Sequence, residues 1–368
     1  MNPSERSFQA CTRVLALVTD AFGGYGGIAQ YNRDFLSALA LTSANIRIDI
    51  LPRLAPEKVH FTAPALVQHR AIFGRARYAL DAVALSFRRK PAVVYSGHLY
   101  HNPLAQRIAK LTGAKLITQL HGTEIWGKIA PRQVRGLEAS DLILTVSRDT
   151  RARTLEKIDI DPEKVVVISN TVGSDFSPGD RAAARAHFGI SNELVILTVA
   201  RLASREGYKG HDRIIPLLLQ AQTQSRPILY LVAGVGDDLP RLQSLAKKHG
   251  VTSHVRFLGK IPGRDLPDLY RAADLFALPS TGEGFGIAYL EAMACGTPAI
   301  GLKVGGALDA LGDGDLGLCV PEEDFVDAFT RALSAPRLPD QILSQAVHAR
   351  FGLTAFQSRC REVMTLLN

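Results

Sequence analysis

The segment at residues 280–298 contains two glutamates placed where they could bind a sugar. Glu283 lies in a Gly-rich loop after an apolar run, and Glu291 stands eight residues later inside a predicted helix. That helix is predicted to begin near Gly286 and to end at Gly296. The free amides of its first turn attract an anion, and carboxylates beside an anion are unfavourable unless hydroxyl groups donate hydrogen bonds to them. The pattern indicates a site for a phosphorylated sugar, with ordinary polar residues of a helix surface as the alternative.

Two cations follow the first apolar run of the second half of the chain. Arg201 stands at the end of that run, and Lys209 lies eight residues later in the loop at residues 202–211. Ligands of open α/β sheets bind at the carboxyl ends of the strands, where two cations could hold a diphosphate. A solvated basic loop is the competing interpretation.

In the first half of the chain, a Gly-rich segment and a histidine also come at the ends of apolar runs. The segment follows the first apolar run, and its glycines and the amides of the next helix favour a bound anion. It does not match the dinucleotide fingerprint, and only Asp49 keeps a dehydrogenase interpretation open. His121 ends another apolar run, which favours a site role over a structural one. The segment consists of Gly23, Gly24, Tyr25, Gly26 and Gly27.

Twelve short apolar runs alternate with amphipathic stretches and predict the elements that position these side chains. The runs are nearly continuous in their hydrophobicity, as in parallel strands covered on both faces. Two series of six runs predict two doubly wound sheets in an α/β protein, with the boundary near residues 169–183 and a terminal helix at 350–368. The runs are 14–20, 46–51, 92–97, 115–122, 142–147 and 165–170 in the first series, and 194–201, 228–234, 255–259, 275–280, 298–302 and 316–320 in the second.

Length and composition limit the class of protein. The chain has 368 residues, of which 46% are hydrophobic and 21% charged, so it can form two globular domains. Its four cysteines are too few and too scattered for a disulfide scaffold, which suggests a reducing compartment. The apolar stretches are strand-sized, so we expect neither a signal peptide nor a spanning helix. The expected location is the cytoplasm.

Charge is distributed unevenly. Residues 1–173 contain 23 Lys and Arg against 14 Asp and Glu, whereas residues 174–368 contain 20 against 21. The first half therefore favours an anionic partner. Residues 70–90 combine six cations and one anion with seven large apolar residues, which is typical of a basic amphipathic helix on an anionic membrane. A core helix with a solvated basic edge is the alternative.

Together these motifs resemble family 4 (GT4) of the retaining glycosyltransferases with the GT-B fold. The resemblance extends over nearly the whole chain and is most specific at residues 201–209 and 283–298. It implies two Rossmann-like doubly wound domains facing a central cleft. The first, residues 1–173 plus 350–368, binds the acceptor, and the second, residues 174–349, binds the nucleotide sugar.

The resemblance also implies roles for single residues. Arg201 and Lys209 neutralise the donor diphosphate, Glu291 holds the ribose, and His121 lies over the transferred sugar. Glu283 meets sugar hydroxyls and phosphate oxygens together with the backbone amides of Phe285, Gly286 and Ile287, while Gly259, Lys260 and Ile261 surround the base. The loop of Gly23 to Gly27 closes on the phosphate and the acceptor, with Gly24 on the donor side as well. Two departures are Asp309, where the family often has Glu, and the length of the loop between Arg201 and Lys209.

The expected function is transfer of a mannose- or glucose-type hexose from a nucleotide-diphosphate sugar to a glycan or lipid-linked glycan in polysaccharide biosynthesis, without a dedicated protein nucleophile. No essential metal or cofactor is expected, because Asp159-Ile-Asp161 and Asp313-Gly-Asp315 look like surface turns and no zinc spacing occurs. A GT-B epimerase and a non-catalytic nucleotide-sugar-binding subunit are the alternatives. A nucleic-acid partner is not expected, because no recognition motif is present. Peripheral attachment to the cytoplasmic face of the membrane is a further expectation.

Overall fold

The structure is a computed structural model that describes residues 12–54, 64–220, 226–335 and 340–367. Contacts within these ranges divide the chain into two compact units. The first unit contains the residues up to Thr171 together with those from Thr354 onward, and the second is Val172–Leu353. For comparison, the boundaries expected from the sequence lie after residue 173 and before residue 350.

The first unit is built on a parallel sheet of seven strands in the order β3-β2-β1-β4-β5-β6-β7. Most of these strands are almost continuously buried, as expected for a sheet that is covered on both faces. Strand β1 lies between β2 and β4, so the chain adds strands first on one side of β1 and then on the other. The strands are β1 (Thr12–Val18), β2 (Ile46–Pro52), β3 (Leu66–Gln68), β4 (Val93–Ser96), β5 (Lys115–Leu120), β6 (Leu142–Thr145) and β7 (Val165–Val167).

Within the described residues, six α-helices lie between these strands. In the first of them, Tyr31 and Phe35 lie one turn apart, are buried and stack with ring centroids 6.0 Å apart. The buried face of this helix also includes the polar residue Asn32, which donates to the Asp20 carbonyl at 3.0 Å. The helices are α1 (Gly27–Ala40), α2 (Arg75–Arg89), α3 (Asn102–Thr112), α4 (Thr123–Trp126), α5 (Pro131–Glu138) and α6 (Arg148–Lys157).

The second unit is built on a parallel sheet of six strands in the order β10-β9-β8-β11-β12-β13. Its first strand, β8, lies between β9 and β11, so the chain again adds strands first on one side and then on the other. The strands are β8 (Leu194–Val199), β9 (Ile228–Ala233), β10 (Val255–Gly259), β11 (Leu275–Leu278), β12 (Ala299–Leu302) and β13 (Leu318–Val320). The helices are α7 (Arg181–His187), α8 (His211–Ile214), α9 (Leu239–Lys248), α10 (Leu266–Ala272), α11 (Ile287–Ala294), α12 (Ala307–Ala310), α13 (Phe325–Ser334) and α14 (Asp340–Phe351).

The last helix, α15 (Leu353–Leu366), returns to the first unit. Its buried residues Phe356, Cys360 and Val363 follow helical spacing, and the rings of Phe356 and Tyr31 of α1 meet edge to face at 6.1 Å. The described residues include no helix that is long and apolar enough to cross a membrane.

The predicted α/β fold with two doubly wound sheets is confirmed. Each of the twelve predicted strands is present, although several end one to three residues earlier than the apolar run that predicted them. The edge strand β3 was missed, because three residues are too few to show a hydrophobic period.

Gly234, the residue after β9, is held against two neighbouring strand ends. Its amide donates to the Gly259 carbonyl at 2.8 Å. A Cβ at this position would lie 1.8 Å from the carbonyl oxygen of Ala200, and φ is +146°. Only glycine fits this approach, which fixes the loop beside Arg201.

We expect Gly234→Ala to lower the free energy of unfolding by about 2–5 kcal/mol, because overpacking and unfavourable backbone angles add. Gly207→Ala is the matched control in the same unit, since its Cβ meets no atom within 4 Å. That control is expected to change stability by less than about 1 kcal/mol. Urea unfolding of both variants checks the difference, and equal stabilities would contradict it.

Candidate functional site

The predicted site residues lie at the carboxyl ends of strands. Most of them follow either β1 or β8, the strands on whose two sides the chain adds further strands, or a strand next to one of these. Arg201 follows β8 and Glu283 follows β11, which are neighbours in the second sheet. The Gly-rich loop follows β1, and His121 follows β5. These are the positions where open α/β sheets bind ligands, because the neighbouring loops diverge there and leave a crevice.

The two predicted cations of the second unit each form an ion pair. Lys209 Nζ lies 2.7 Å from Glu283 Oε1, and both side chains are largely buried, with 16% and 7% exposed. Arg201 Nη2 lies 2.6 Å from Glu206 Oε1, and its side chain is 67% exposed while that of Glu206 is 8% exposed. The structure therefore brings Lys209 and Glu283 together, across 74 residues of chain.

Lys209 carries its charge despite its burial. Burial by itself lowers the pKa of Lys209, but the charge and hydrogen bond of Glu283 outweigh that effect and raise the pKa above its ordinary value. Lys209 Nζ also lies 5.2 Å from the centre of the Tyr208 ring. A protonated amine is thus held near neutral pH at the end of β11.

The loop between Arg201 and Lys209 is bound to the end of β11. The Thr281 amide donates to the Tyr208 carbonyl at 2.9 Å. Gly210 has φ +86°, and a Cβ there would lie 2.2 Å from the Pro279 carbonyl oxygen. Because the two loops approach so closely, Lys209 is aimed directly at Glu283.

Glu206 was not predicted as a site residue. It interrupts the 3₁₀ turn at Ser204–Lys209 with non-helical backbone angles and is buried. Its Oε1 pairs with Arg201, while Oε2 has no hydrogen-bond partner among the described residues. The sequence showed Glu206 only as part of an unusually long loop, and its proximity to Arg201 depends on the fold of that loop.

Helix α11 begins where the sequence predicted. Gly286 precedes its first residue and offers no side chain to cap the helix, so no described side chain satisfies its first amides from that position. Phe285 is buried, with its ring 5.8 Å from that of Phe351, and Ile287 opens the helix. Gly306 donates to the Glu283 carbonyl at 2.8 Å and holds the loop in place.

Glu291 points towards a buried tyrosine. Tyr270 Oη donates to Glu291 Oε2 at 2.7 Å. Burial, together with the charge of Glu291, raises the pKa of Tyr270 well above its ordinary value, so the hydroxyl remains a donor. The hydrogen bond fixes the rotamer of Glu291; its role as the ribose ligand stays a prediction.

The predicted base pocket lies at the end of β10. Gly259 accepts a backbone hydrogen bond from Gly234, Lys260 is exposed and Ile261 is half-buried. The hydrogen bond links this segment to the end of β9, next to β8 in the sheet. Contact with a base stays a prediction.

His121 in the first unit is held in a defined tautomer. Its Nε2–H donates to the Gly97 carbonyl at 3.0 Å, and its backbone amide donates to Glu124 at 2.7 Å. The ring meets Tyr31 edge to face at 5.3 Å and stacks with His98 at 5.9 Å. Burial lowers the pKa of His121 to about 4, so the ring is neutral at pH 7 and Nδ1 is an acceptor.

The Gly-rich loop is supported from α1. Arg33 donates to the carbonyls of Ala21 and Gly24 at 3.0 and 2.9 Å. Tyr25 is 52% exposed, and Gly26 precedes the first residue of α1. The loop therefore has a fixed base and an exposed tip.

The remaining acidic residues favour neither a dehydrogenase nor a metal site. Asp49 is buried and pairs with His69 at 2.8 Å and Arg89 at 3.2 Å, a structural role that removes the acid expected to bind a ribose in dehydrogenases. Asp161 accepts from the Glu163 amide, and Asp313 lies in a 3₁₀ turn. Across the described ranges, no group of three His, Cys, Asp or Glu side chains could hold a metal ion.

Two family models match the chain and together span most of it. The glycosyltransferase family 4 model matches residues 25–176, and the model for glycosyl transferases group 1 matches residues 180–348. The chain belongs to the family 4 glycosyltransferases. The second match includes Arg201, Lys209, Glu283 and Glu291, and the first includes His121.

Curated relatives of this family 4 member align with half of the chain or somewhat more. The D-inositol 3-phosphate glycosyltransferase of Saccharomonospora viridis is 37% identical over 209 residues, which are 53% of this chain and 48% of the relative. The GDP-mannose-dependent alpha-(1-6)-phosphatidylinositol monomannoside mannosyltransferase of Mycolicibacterium smegmatis is 31% identical over 244 residues, which are 63% of this chain and 62% of the relative. The chain thus spans about half the length of most of the curated relatives that it matches.

A solved structure shows the same fold. Sucrose-phosphate synthase from Thermosynechococcus elongatus superposes with a TM-score of 0.78, covering 96% of this chain and 99% of that chain at 20% identity. The family 4 member therefore has the GT-B fold of two Rossmann-like units.

Buried histidines make the stability of this family 4 member dependent on pH. Burial lowers the pKa of His211, which contacts the Tyr230 hydroxyl at 3.0 Å, to about 4. The unfolded chain takes up this proton below pH about 6.5, whereas the folded chain does so only near pH 4. Stability is therefore lost as the pH falls between these values.

For His211 this linkage amounts to about 1.2 kcal/mol between pH 7 and pH 5.5. We expect the difference in unfolding free energy between these two pH values to shrink by about that amount in His211→Gln. His187→Gln, at an exposed position in the same unit, is the control and should leave the difference unchanged. Urea titrations at both pH values measure it; an unaltered difference in His211→Gln would show that His211 is charged in the folded chain.

Proposed function

We propose that the chain transfers a hexose, with retention of configuration, from a nucleotide-diphosphate sugar to a glycan or lipid-linked acceptor in polysaccharide biosynthesis. The observation that carries this proposal is the buried pair of Lys209 and Glu283 beside the uncapped start of α11. It joins a cation for the diphosphate and a carboxylate for sugar hydroxyls at one strand end. The names of the two curated relatives, a glycosyltransferase and a GDP-mannose-dependent mannosyltransferase, support it.

The charges of the donor site balance before a donor binds. Each cation pairs with a carboxylate, Lys209 with Glu283 and Arg201 with Glu206. When a diphosphate enters, its oxygens replace a carboxylate oxygen around Lys209, and Glu283 becomes an acceptor for sugar hydroxyls. The cations then stabilise the charge that develops on the phosphate as the glycosidic bond breaks.

We propose that these two cations, and not a resident metal ion, neutralise the diphosphate. Lys209 is protonated and largely buried, so its charge acts in surroundings of low dielectric. Arg201 is exposed and can swing from Glu206 towards the phosphate. Arginine forks are well matched to phosphate oxygens.

On the acceptor side, neutral His121 orients the sugar without transferring a proton. Its Nδ1 accepts from a sugar hydroxyl while Nε2–H remains bonded to Gly97. The bond from the anomeric carbon to the phosphate oxygen breaks, and the acceptor oxygen forms the new bond on the same face. The acceptor proton passes to the departing phosphate, so no protein nucleophile is required.

Lys209→Ala and Glu291→Ala are expected to lower kcat/KM by about 10²–10³, because each removes a charged contact made to the donor in the transition state. Lys247→Ala and Glu323→Ala, exposed in the same unit, are the matched controls and should retain full activity. Nucleotide release with an added acceptor measures turnover. Full activity in both site variants would contradict the proposed site.

Ligand-dependent melting identifies the base and separates the alternatives. One of GDP, UDP and ADP is expected to raise Tm of the native chain by binding the folded state, and the shift should disappear in Lys209→Ala. A GT-B epimerase would release free sugar without an acceptor. A non-catalytic subunit would show the Tm shift but no nucleotide release.

We also propose that the first unit binds anionic membranes through α2. Phe73, just before the helix, and Leu80 and Phe87 within it are 71%, 72% and 56% exposed. The seven residues between Leu80 and Phe87 correspond to two helical turns, so these two side chains lie on the same face of α2. Tyr78 and Leu85 face the core instead. The apolar residues of the segment thus divide into a buried face and an exposed stripe, which extends the sequence-based expectation.

The cations of this segment also divide. Arg75, Arg77, Arg88 and Lys90 are exposed, whereas Arg89 pairs with the buried Asp49 and serves the fold. The exposed cations flank Leu80 and Phe87 in the sequence, and Arg77 also pairs with Asp81 at 3.8 Å. This arrangement suits a helix that lies in the headgroup region of an anionic leaflet.

Arg88→Gln combined with Lys90→Gln is expected to weaken binding to phosphatidylglycerol vesicles about 30-fold, because each cation near the surface contributes about 1 kcal/mol. Leu80→Ser should weaken binding to the same vesicles through the apolar stripe. Lys247→Gln with Lys248→Gln, on α9 of the second unit, is the control of equal charge. Co-sedimentation in low and high salt measures the effect; equal binding to neutral and anionic vesicles would exclude this role of α2.

A further inference from the structure

Two guanidinium groups converge on one tyrosine ring at the carboxyl edge of the first sheet. Arg53 follows β2, Arg75 opens α2 and Tyr100 follows β4. The Cζ atoms of Arg53 and Arg75 lie 5.0 and 5.7 Å from the centre of the Tyr100 ring. Three separate parts of the chain thus place two like charges in contact with one ring.

Neither arginine has a carboxylate partner among the ion pairs of the described residues. Arg53 Nε is buried and has no hydrogen-bond partner within the same ranges. Arg151, in contrast, is half-buried in the same unit and donates to the Val165 carbonyl at 2.7 Å. A buried donor of a charged group without an acceptor is unfavourable, and the ring contacts offset only part of that.

The surroundings add positive potential. Helix α2 has fifteen residues, no capping side chain at Gly74 and no acidic residue in its first turn. Its amino end therefore presents free amides and the positive end of the helix dipole beside Arg75. Burial, with help from the nearby His98 and Arg53, lowers the pKa of His101 to about 3, so this neighbour stays neutral.

The cluster is joined to the predicted acceptor loop. His101, next to Tyr100, lies with Nε2 3.2 Å from Thr19 Oγ1, and Thr19 directly follows β1 on the way to the Gly-rich loop. The Tyr100 hydroxyl adds a donor to the two guanidinium groups. We infer that Arg53, Arg75 and Tyr100 bind a phosphate ester of the acceptor substrate; this inference rests on the proposed function.

Phosphate suits this cluster better than a neutral sugar does. Guanidinium groups donate two parallel hydrogen bonds to phosphate oxygens, and a tetrahedral phosphate has further oxygens for a hydroxyl and for helix amides. A neutral hydroxyl would leave two positive charges uncompensated. The phosphate can be a monoester on a soluble sugar or the diester of a lipid headgroup, which share this chemistry.

The test is binding of glycerol 3-phosphate, glycerophosphoglycerol and glycerol to the full chain, measured by calorimetry with the donor site filled by the nucleoside diphosphate that raises Tm most. We expect an ester to bind and glycerol not to bind. Arg53→Gln and Arg75→Gln should each weaken the ester at least about tenfold, the effect of losing a charged hydrogen bond. Arg107→Gln, an exposed arginine of α3, is the control of equal charge and should bind as the native chain does.

Binding of neither ester, or equal binding by Arg53→Gln, Arg75→Gln and the Arg107→Gln control, would overturn the inference. Because Arg75 is exposed in the first turn of α2, its variant keeps the test decisive even if Arg53→Gln does not fold. Tighter binding of the monoester assigns the site to a soluble phosphorylated acceptor, and equal or tighter binding of the diester assigns it to a lipid headgroup.

The two proposals can fail separately. Both arginine variants should bind the nucleoside diphosphate as the native chain does, because the donor residues lie in the other unit. Ester binding without nucleotide binding would contradict the proposed function and leave the anion site standing. Nucleotide binding without ester binding would contradict only the anion site.

Discussion

The buried ion pair between Lys209 and Glu283 sets the main constraint on the second unit. Removing two charges from water is unfavourable unless their geometry is nearly ideal, and the 2.7 Å contact requires two loops to meet at a strand end. Gly210 allows the first loop to approach the Pro279 carbonyl, and Gly306 anchors the second loop at the Glu283 carbonyl. The sheet order, which makes β8 and β11 neighbours, is what places the loops side by side.

A buried ion pair of this kind contributes little net stability, which makes its function easier to understand. Desolvation and Coulomb attraction nearly cancel in such pairs, whereas leaving one charge alone is strongly unfavourable. A ligand phosphate that replaces Glu283 beside Lys209 therefore meets a cation that is already desolvated and oriented. The energy that would otherwise be spent on ordering Lys209 has been supplied during folding.

Much of the fold could be predicted because it depends on local patterns. Buried parallel strands appear as continuous apolar runs, and the start of α11 appears as a Gly-rich loop before a helical period. The edge strand β3 lacks such a pattern. The partners of Glu206 and Asp49 could not be predicted from spacing along the chain. The path of a loop brings Glu206 to Arg201, and the packing of the first unit brings Asp49 to Arg89.

The net charge of the first half does not tell which of its cations serve the fold. In the first unit, Lys157 donates to three carbonyls that follow one another at the end of α4, and Arg89 balances buried Asp49, so these charges serve the fold. Among the exposed cations of α2, Arg77 pairs with Asp81 at 3.8 Å. The Arg53 and Arg75 pair has no carboxylate partner among the ion pairs of the described residues, and Arg53 Nε has no hydrogen-bond partner there. Arg75 belongs to both groups, since it opens α2 and contacts Tyr100. A helix whose exposed face suits an anionic leaflet thus begins at a cluster suited to phosphate, so one element can position both a lipid surface and the anionic group of an acceptor carried by it.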